Sequence, residues 1–379
     1  MKKVKQKLKA RHFLIFVIFF IYACSNDNKT EPNDSKKEQV IEVAPAKKSV
    51  KLFATMDHLR VRDTPDLSGE TVYMLSDQEE MEFLEVQDNV ENISVNLRGF
   101  PYKDPWIKVK MSDGTKGWVY GGGVRYEGKS QIGELLRNSR LEALFGKENA
   151  ISFLNYKRQY DRSTTSSELA KTYRLGISLR DATEYRLHEH IEVSDPTKLP
   201  DMTWLSDAIP GFIQHLVAEG TMFHMFVNFK EFAKKARRTA GPEDDQFMEL
   251  GLKIFPIDSI EHFFPAWFMQ TWDYGGHSEL GAGIHNDLLA EMNQVLAHSA
   301  MFEEEIETYK DQILHDITDS HVTYWQPKDA ILSELDEILA ADYGILNEED
   351  KIALKTRRKL FENPESNGIE LNNKSGVHN

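Results

Sequence analysis

Two stretches decide how the first third of the chain folds: Leu59-Arg60-Val61-Arg62-Asp63-Thr64-Pro65 and Asp113-Gly114-Thr115-Lys116-Gly117-Trp118-Val119. From His58 to Arg62, apolar and basic residues alternate with period two, as in a half-buried strand. Asp63 to Gly69 is rich in turn formers. Asp113-Gly114 separates two further alternating runs, the strongest short-range hairpin signal. Working outward, Leu52–Ala54, Thr71–Leu75, Met81–Val86, Pro105–Lys110 and Gly117–Tyr120 also read as short strands. Short strands with no helical spacing from residue 50 to 126 predict a small all-β barrel.

These landmarks resemble the bacterial SH3 (SH3b) family. The opening Leu59-Arg60-Val61-Arg62 with Pro65, the Trp106-Ile107-Lys108-Val109 strand, the Asp113-Gly114 turn and the closing Gly117-Trp118-Val119 occur in the family's order. The resemblance implies an SH3-like barrel that contacts cell-wall peptidoglycan or an envelope protein. One departure stands out. The connection from Gln87 to Pro105 is longer than the family's and reshapes any groove beside it. On a barrel with that role, exposed rings would supply stacking surfaces. The candidates are Phe100, Tyr102, Trp106 and Tyr120, with Trp106 also turning a face to the core and Trp118 read as a core residue.

Upstream, six basic residues precede an 11-residue apolar run, Phe13 to Ala23, and then Cys24, the chain's only cysteine. The run is too short for a bilayer span of about 20 residues and reads as a secretory signal. Ile21-Tyr22-Ala23-Cys24 resembles the bacterial lipobox, which implies cleavage before Cys24 and lipidation of its thiol. More than one acyl chain gives stable anchoring. The expectation is residues 1–23 as signal, 24–49 as a polar flexible tether, and a site on the outer membrane. Without the signal the formal charge is 40 − 61 = −21. That charge argues against nucleic acid and against electrostatic binding to anionic lipid. With Cys24 acylated, the body has no thiol nucleophile, no internal disulfide and no cysteine-rich zinc site.

From Gln131 the apolar spacing becomes three and four, which predicts a mainly α-helical domain over 127–362 and a disordered tail over 363–379. Helices are expected at 205–218, 222–240 and 284–314 among others, with a strand near 185–193. Met222 to Phe226 is aromatic-rich and reads as core packing. The helical domain resembles no family.

Ten of the 13 histidines lie between His188 and His321. On a strand, His188, His190 and Glu192 share one face and could ligate zinc or iron; on a helix they would not converge. Asp311, His315 and Asp319 form an i, i+4, i+8 stripe, followed by His321. The glycine-rich stretch from Trp272 to Asp287 opens a long helix and could cradle an anion. Within it, Ser278 beside His277 lacks the G-x-S-x-G form of a hydrolase elbow. The reading favours a non-catalytic, membrane-tethered binding lipoprotein with no cofactor. The alternative is a metal-dependent, non-cysteine envelope hydrolase, a wall amidase or peptidase, with zinc held in the helical domain.

Overall fold

The structure is a computed structural model that describes residues 49–87, 92–191, 198–217, 222–256, 264–270 and 276–371. Cys24, the signal, the tether and Glu192 lie outside the described residues.

Nine short strands come first: β1 (Lys51–Ala54), β2 (Leu59–Arg62), β3 (Thr71–Leu75), β4 (Glu80–Val86), β5 (Val95–Leu97), β6 (Phe100–Tyr102), β7 (Trp106–Lys110), β8 (Lys116–Tyr120) and β9 (Val124–Tyr126). Seven of them form one antiparallel sheet in the order β3-β2-β8-β7-β4-β1-β9. The alternation at Leu59–Arg62 is met: Leu59 and Val61 are buried. The β7–β8 hairpin turns at Asp113-Gly114. Gly114 has a φ of +89°, which costs no strain without a Cβ, and the Asp113 carboxylate accepts the Thr115 N–H at 2.8 Å. The sheet bends at bulges at Val61/Arg62 and Phe83/Glu85. Its outer strands, β3 and β9, are not paired with each other among the described residues, so the sheet stays open. Its apolar face is covered by Ile132 and Leu136 of the first helix.

The helical part runs α1 (Gln131–Phe145), α2 (Lys147–Arg162), α3 (Ser166–His190), α4 (Trp204–Ala208), β10 (Phe212–Val217), β11 (Met222–Val227), α5 (Phe229–Ala236), α6 (Glu243–Ile254), β12 (Phe268–Gln270), β13 (Gly276–Ser278), α7 (Ile284–His298), α8 (Glu303–Thr318), α9 (Lys328–Ala341) and α10 (Glu348–Leu360). An N-terminal antiparallel sheet followed by a helical region is therefore the architecture. None of the described helices is long and apolar enough to cross a membrane.

Three local expectations differ from the structure. The helices expected at 205–218 and 222–240 are instead a short helix, the antiparallel β10–β11 hairpin and α5. In β11, Phe223 and Met225 are buried while His224 and Phe226 on the other face are half-buried; this is a strand period. The strand expected near 185–193 is the end of α3. That helix starts at a capping box in which Thr165 and Glu168 each accept the other's backbone N–H. The single helix expected over 284–314 is two, broken where Ser299 turns extended. Three glutamates in the first turn of α8 complement its dipole. Part of the predicted disordered tail also packs: Ile369 is buried and the Glu370 carbonyl accepts the Tyr324 N–H at 3.1 Å.

Sheet and helices share one body. The long connection before β7 holds the β5–β6 hairpin, which inserts Phe100 and Tyr102 into the helical core, Phe100 against Trp204 with ring centroids 5.9 Å apart. Arg98 donates to the Thr55 and Leu199 carbonyls at 3.1 and 3.0 Å. Arg140 of α1 is fully enclosed and pairs with the enclosed Asp104 at 2.9 Å, while donating to the carbonyls of Gly121 and Val124. Burial pushes the Asp104 carboxyl up, against the pull of the guanidinium. A second bolt is Asp207, which accepts from Lys157 of α2 at 2.6 Å, Arg137 of α1 at 2.9 Å and Tyr126 of β9 at 3.1 Å.

Candidate functional site

The four aromatic candidates on the sheet do not form a stacking surface. Phe100, Tyr102, Trp106 and Tyr120 retain only 0, 2, 5 and 5% of their exposure. The Tyr120 hydroxyl donates toward the carbonyls of Ile93 and Tyr102, both at 2.9 Å, and accepts the Asp104 N–H. Tyr102 donates to the Asp201 carbonyl. Their polar tips are used by the backbone, and the rings fill the junction with the helices.

The described part of the glycine-rich stretch, from Gly276 on, also serves the fold. Gly281 and Gly283 have φ of +103° and +85°, and their N–H groups point at one carboxylate, that of Glu334 on α9. Glu334 also accepts the Asn286 N–H at 3.0 Å. The anion that this helix N-terminus holds is thus supplied by the chain itself. Beside it, Asp316 accepts from Ser278 and, at 2.8 Å, from His285 Nε2. Ser278, His285, Asp316 and Glu334 are all buried. Ser278 gives its proton to a carboxylate rather than to a histidine, so the geometry of an activated serine is missing. His277 is tied to Thr323 at 2.6 Å.

The surface stripe gives an exposed cluster. His315 and His321 contact opposite oxygens of Asp319 at 3.3 and 3.1 Å and are 73 and 93% exposed. Backbone and side-chain hydrogen bonds from His321 hold the Asp319 carboxyl below its usual range. Asp311 is engaged elsewhere, with Lys310.

A different arrangement gathers on one face of α3. Tyr173, Ile177, Arg180, Glu184 and His188 recur every three or four residues and so form one stripe. The N-terminal half of this stripe lines a cleft of about 380 Å³, closed by Phe226 and Val227 of β11, Phe229, Phe255, and Glu305 and Tyr309 of α8. Arg174 at the rim is bidentate to Glu305, at 2.6 and 2.9 Å. Among the described residues, Arg180 pairs with the exposed carboxylate of its neighbour Asp181. Burial pushes the Tyr309 phenol up to about 12, so it is a neutral hydrogen-bonding group at neutral pH.

The C-terminal half of the stripe meets His224 of β11. Glu184 Oε1 stands 3.0 Å from His224 Nδ1, and its Oε2 accepts the Met225 N–H at 3.0 Å. His188 Nε2 stands 2.9 Å from the Phe223 carbonyl. The two imidazoles lie edge to face, with centroids 4.9 Å apart. The Phe226 ring, which lines the cleft, is 6.2 Å from that of His224, so cleft and cluster adjoin.

Of the residues expected to ligate a metal, His188 is therefore in a cluster, but with Glu184 and His224 rather than with its near neighbours. His190, two residues on along the helix, points away and contacts Arg186 and Glu189. Glu192 lies outside the described residues. In the sequence, the i, i+4 spacing of Glu184 and His188 is the one signal for this grouping, since Met222 to Val227 is apolar on both faces and carries none for His224. Compared with known proteins, the chain matches no family model, no curated protein and no solved structure.

Proposed function

We propose that the chain is a lipid-anchored protein of the bacterial cell envelope that binds, without turnover, a ligand with an apolar body and an anionic end. The observation that carries this is the cleft between α3, β11 and α8. It has the size of a small-molecule site and a lining of aromatic and aliphatic side chains with a few polar ones, among them Arg180, on a carboxylate that a ligand can replace. In this reading Cys24 carries the anchor, in the outer membrane, on the strength of the lipobox-like Ile21-Tyr22-Ala23-Cys24. The N-terminal sheet is an SH3-like module, supported by the order of its sequence landmarks. Any contact it makes with peptidoglycan or an envelope protein uses a surface other than its four buried rings.

The test uses 8-anilinonaphthalene-1-sulfonate, which joins an apolar body to a sulfonate. Saturable one-to-one binding with a fluorescence rise is expected, lost in Ile177→Trp, which fills the cleft, while the urea midpoint stays near wild type. Absent binding, or equal binding by a folded Ile177→Trp, would refute the reading. Palmitate labelling that persists in Cys24→Ser would refute the anchor.

A second reading, a metal-dependent envelope hydrolase of the amidase or peptidase class, is favoured by one observation: the histidine cluster opens beside the cleft. It predicts zinc-dependent dye release from labelled peptidoglycan, lost in His188→Ala.

A further inference from the structure

We infer that Glu184, His188 and His224 form a binding site for a borderline divalent transition ion of the zinc class. The inference does not depend on what fills the cleft.

The ligand set comes first. Two imidazoles and one carboxylate suit zinc, cobalt or nickel, whereas calcium and magnesium want all-oxygen shells. Three protein ligands with a fourth position left to water is a known zinc arrangement. Geometry comes second. One candidate ligand atom from each residue lies within 4.8 Å of the other two. Ligands at about 2.0–2.1 Å around a tetrahedral ion stand about 3.4 Å from one another. His224 Nδ1 and Glu184 Oε1 are already within that spacing, at 3.0 Å.

Orientation comes third. A carbonyl only accepts, so the contact with the Phe223 carbonyl makes His188 Nε2 the protonated nitrogen and leaves Nδ1 with its lone pair. A ligand histidine steered by its second nitrogen onto a backbone carbonyl is the usual support for a metal. Glu184 is steered in the same way, by the Met225 N–H on Oε2. The three side chains come from a regular helix and a regular strand, which fix position better than loops do. Access comes last. His188 is exposed and the other two are half-buried, so an ion can enter from solvent.

A purely structural role would make Glu184 a strut from α3 to β11. That explains its two contacts with β11 but not why the exposed His188 gathers with His224 beside them.

The test is a titration of the chelator-treated full chain with Zn²⁺ and with Co²⁺, read by calorimetry and by cobalt absorption. One equivalent is expected to bind, raising the melting temperature. Cobalt is expected to show the strong visible bands of a four-coordinate nitrogen–oxygen site. His188→Ala, on the exposed face, and Glu184→Gln, nearly isosteric, should each weaken binding at least about tenfold. His315→Ala with His321→Ala, at the exposed Asp319 cluster, should leave it unchanged. The inference is overturned if no stoichiometric binding occurs, if both first-named variants bind like wild type, or if binding is lost only in the His315/His321 variant.

Discussion

Two of the histidine–carboxylate clusters among the described residues differ in how far their acids are enclosed. At the N-terminus of α7, Glu334 and Asp316 are enclosed, and between them they take three backbone N–H groups, the Ser278 hydroxyl and His285. On α3 and β11, Glu184, His188 and His224 have converged too, but with solvent on one side. The first cluster spends its polar groups on holding the fold. The second has lone pairs to offer. A count of histidines and carboxylates in the sequence cannot tell these apart, because what separates them is whether backbone donors arrive to saturate the acids.

The contrast can be broken most forcefully at the closed cluster. Glu334→Ala takes the buried acceptor from three part-buried backbone donors, and a loss of about 2–4 kcal/mol is expected from urea unfolding. A loss below about 1 kcal/mol would mean that the loop does not depend on this carboxylate. Asp207 sits between the extremes, bound by three partners yet partly exposed. Asp207→Asn is expected to cost about 1–2 kcal/mol at neutral pH.

Its pH dependence sharpens the case. Burial alone would raise the Asp207 carboxyl, but Lys157 and Arg137 hold it below its ordinary 3.8. A carboxyl depressed by folding stabilises fully above the unfolded value and loses that contribution as pH falls through the folded one. The gap between wild type and Asp207→Asn should therefore stay constant from pH 7 to about 5 and close progressively below that. A gap that shrinks near pH 6 would contradict the assignment.

Ser278→Ala should cost about 1–2 kcal/mol, since its hydroxyl donates to a carboxylate that keeps His285 and also accepts the Leu280 N–H at 3.1 Å. The smallest effect belongs to the open cluster. Without metal, His188→Ala should change stability by no more than about 1 kcal/mol, one hydrogen bond to the Phe223 carbonyl on an exposed face. A cost like that of Glu334→Ala would make the open cluster a structural one.

Much of the fold was legible wherever one period dominated. The Leu59–Arg62 alternation, the Asp113-Gly114 turn and the helical spacing from Gln131 each correspond to elements found there. The strands β10 and β11 were not read, because Phe212 to Val217 and Met222 to Val227 are apolar on both faces and short enough to pass for helix. The end of α3 was misjudged for the opposite reason: alternation around His188 mimics a strand, while the capping box that fixes the helix lies more than 20 residues upstream.

The site suffered most from this. His188 stands out in the sequence as a candidate ligand, but His224, which meets it in the fold, lies on a hairpin whose sequence passes for helix. Likewise Phe100, Tyr102, Trp106 and Tyr120 were visible as aromatic, but nothing local says that the β5–β6 hairpin drives two of them into the helical core. Burial across a junction depends on the partner surface, which no single stretch encodes.

The most direct measurement is a long-range ¹H–¹⁵N spectrum of the imidazoles in the full chain, recorded before and after one equivalent of Zn²⁺. The account predicts that His188 and His224 move to metal-bound shifts while His285 stays put. Movement at His315 and His321 instead, or at none of these histidines, would contradict it.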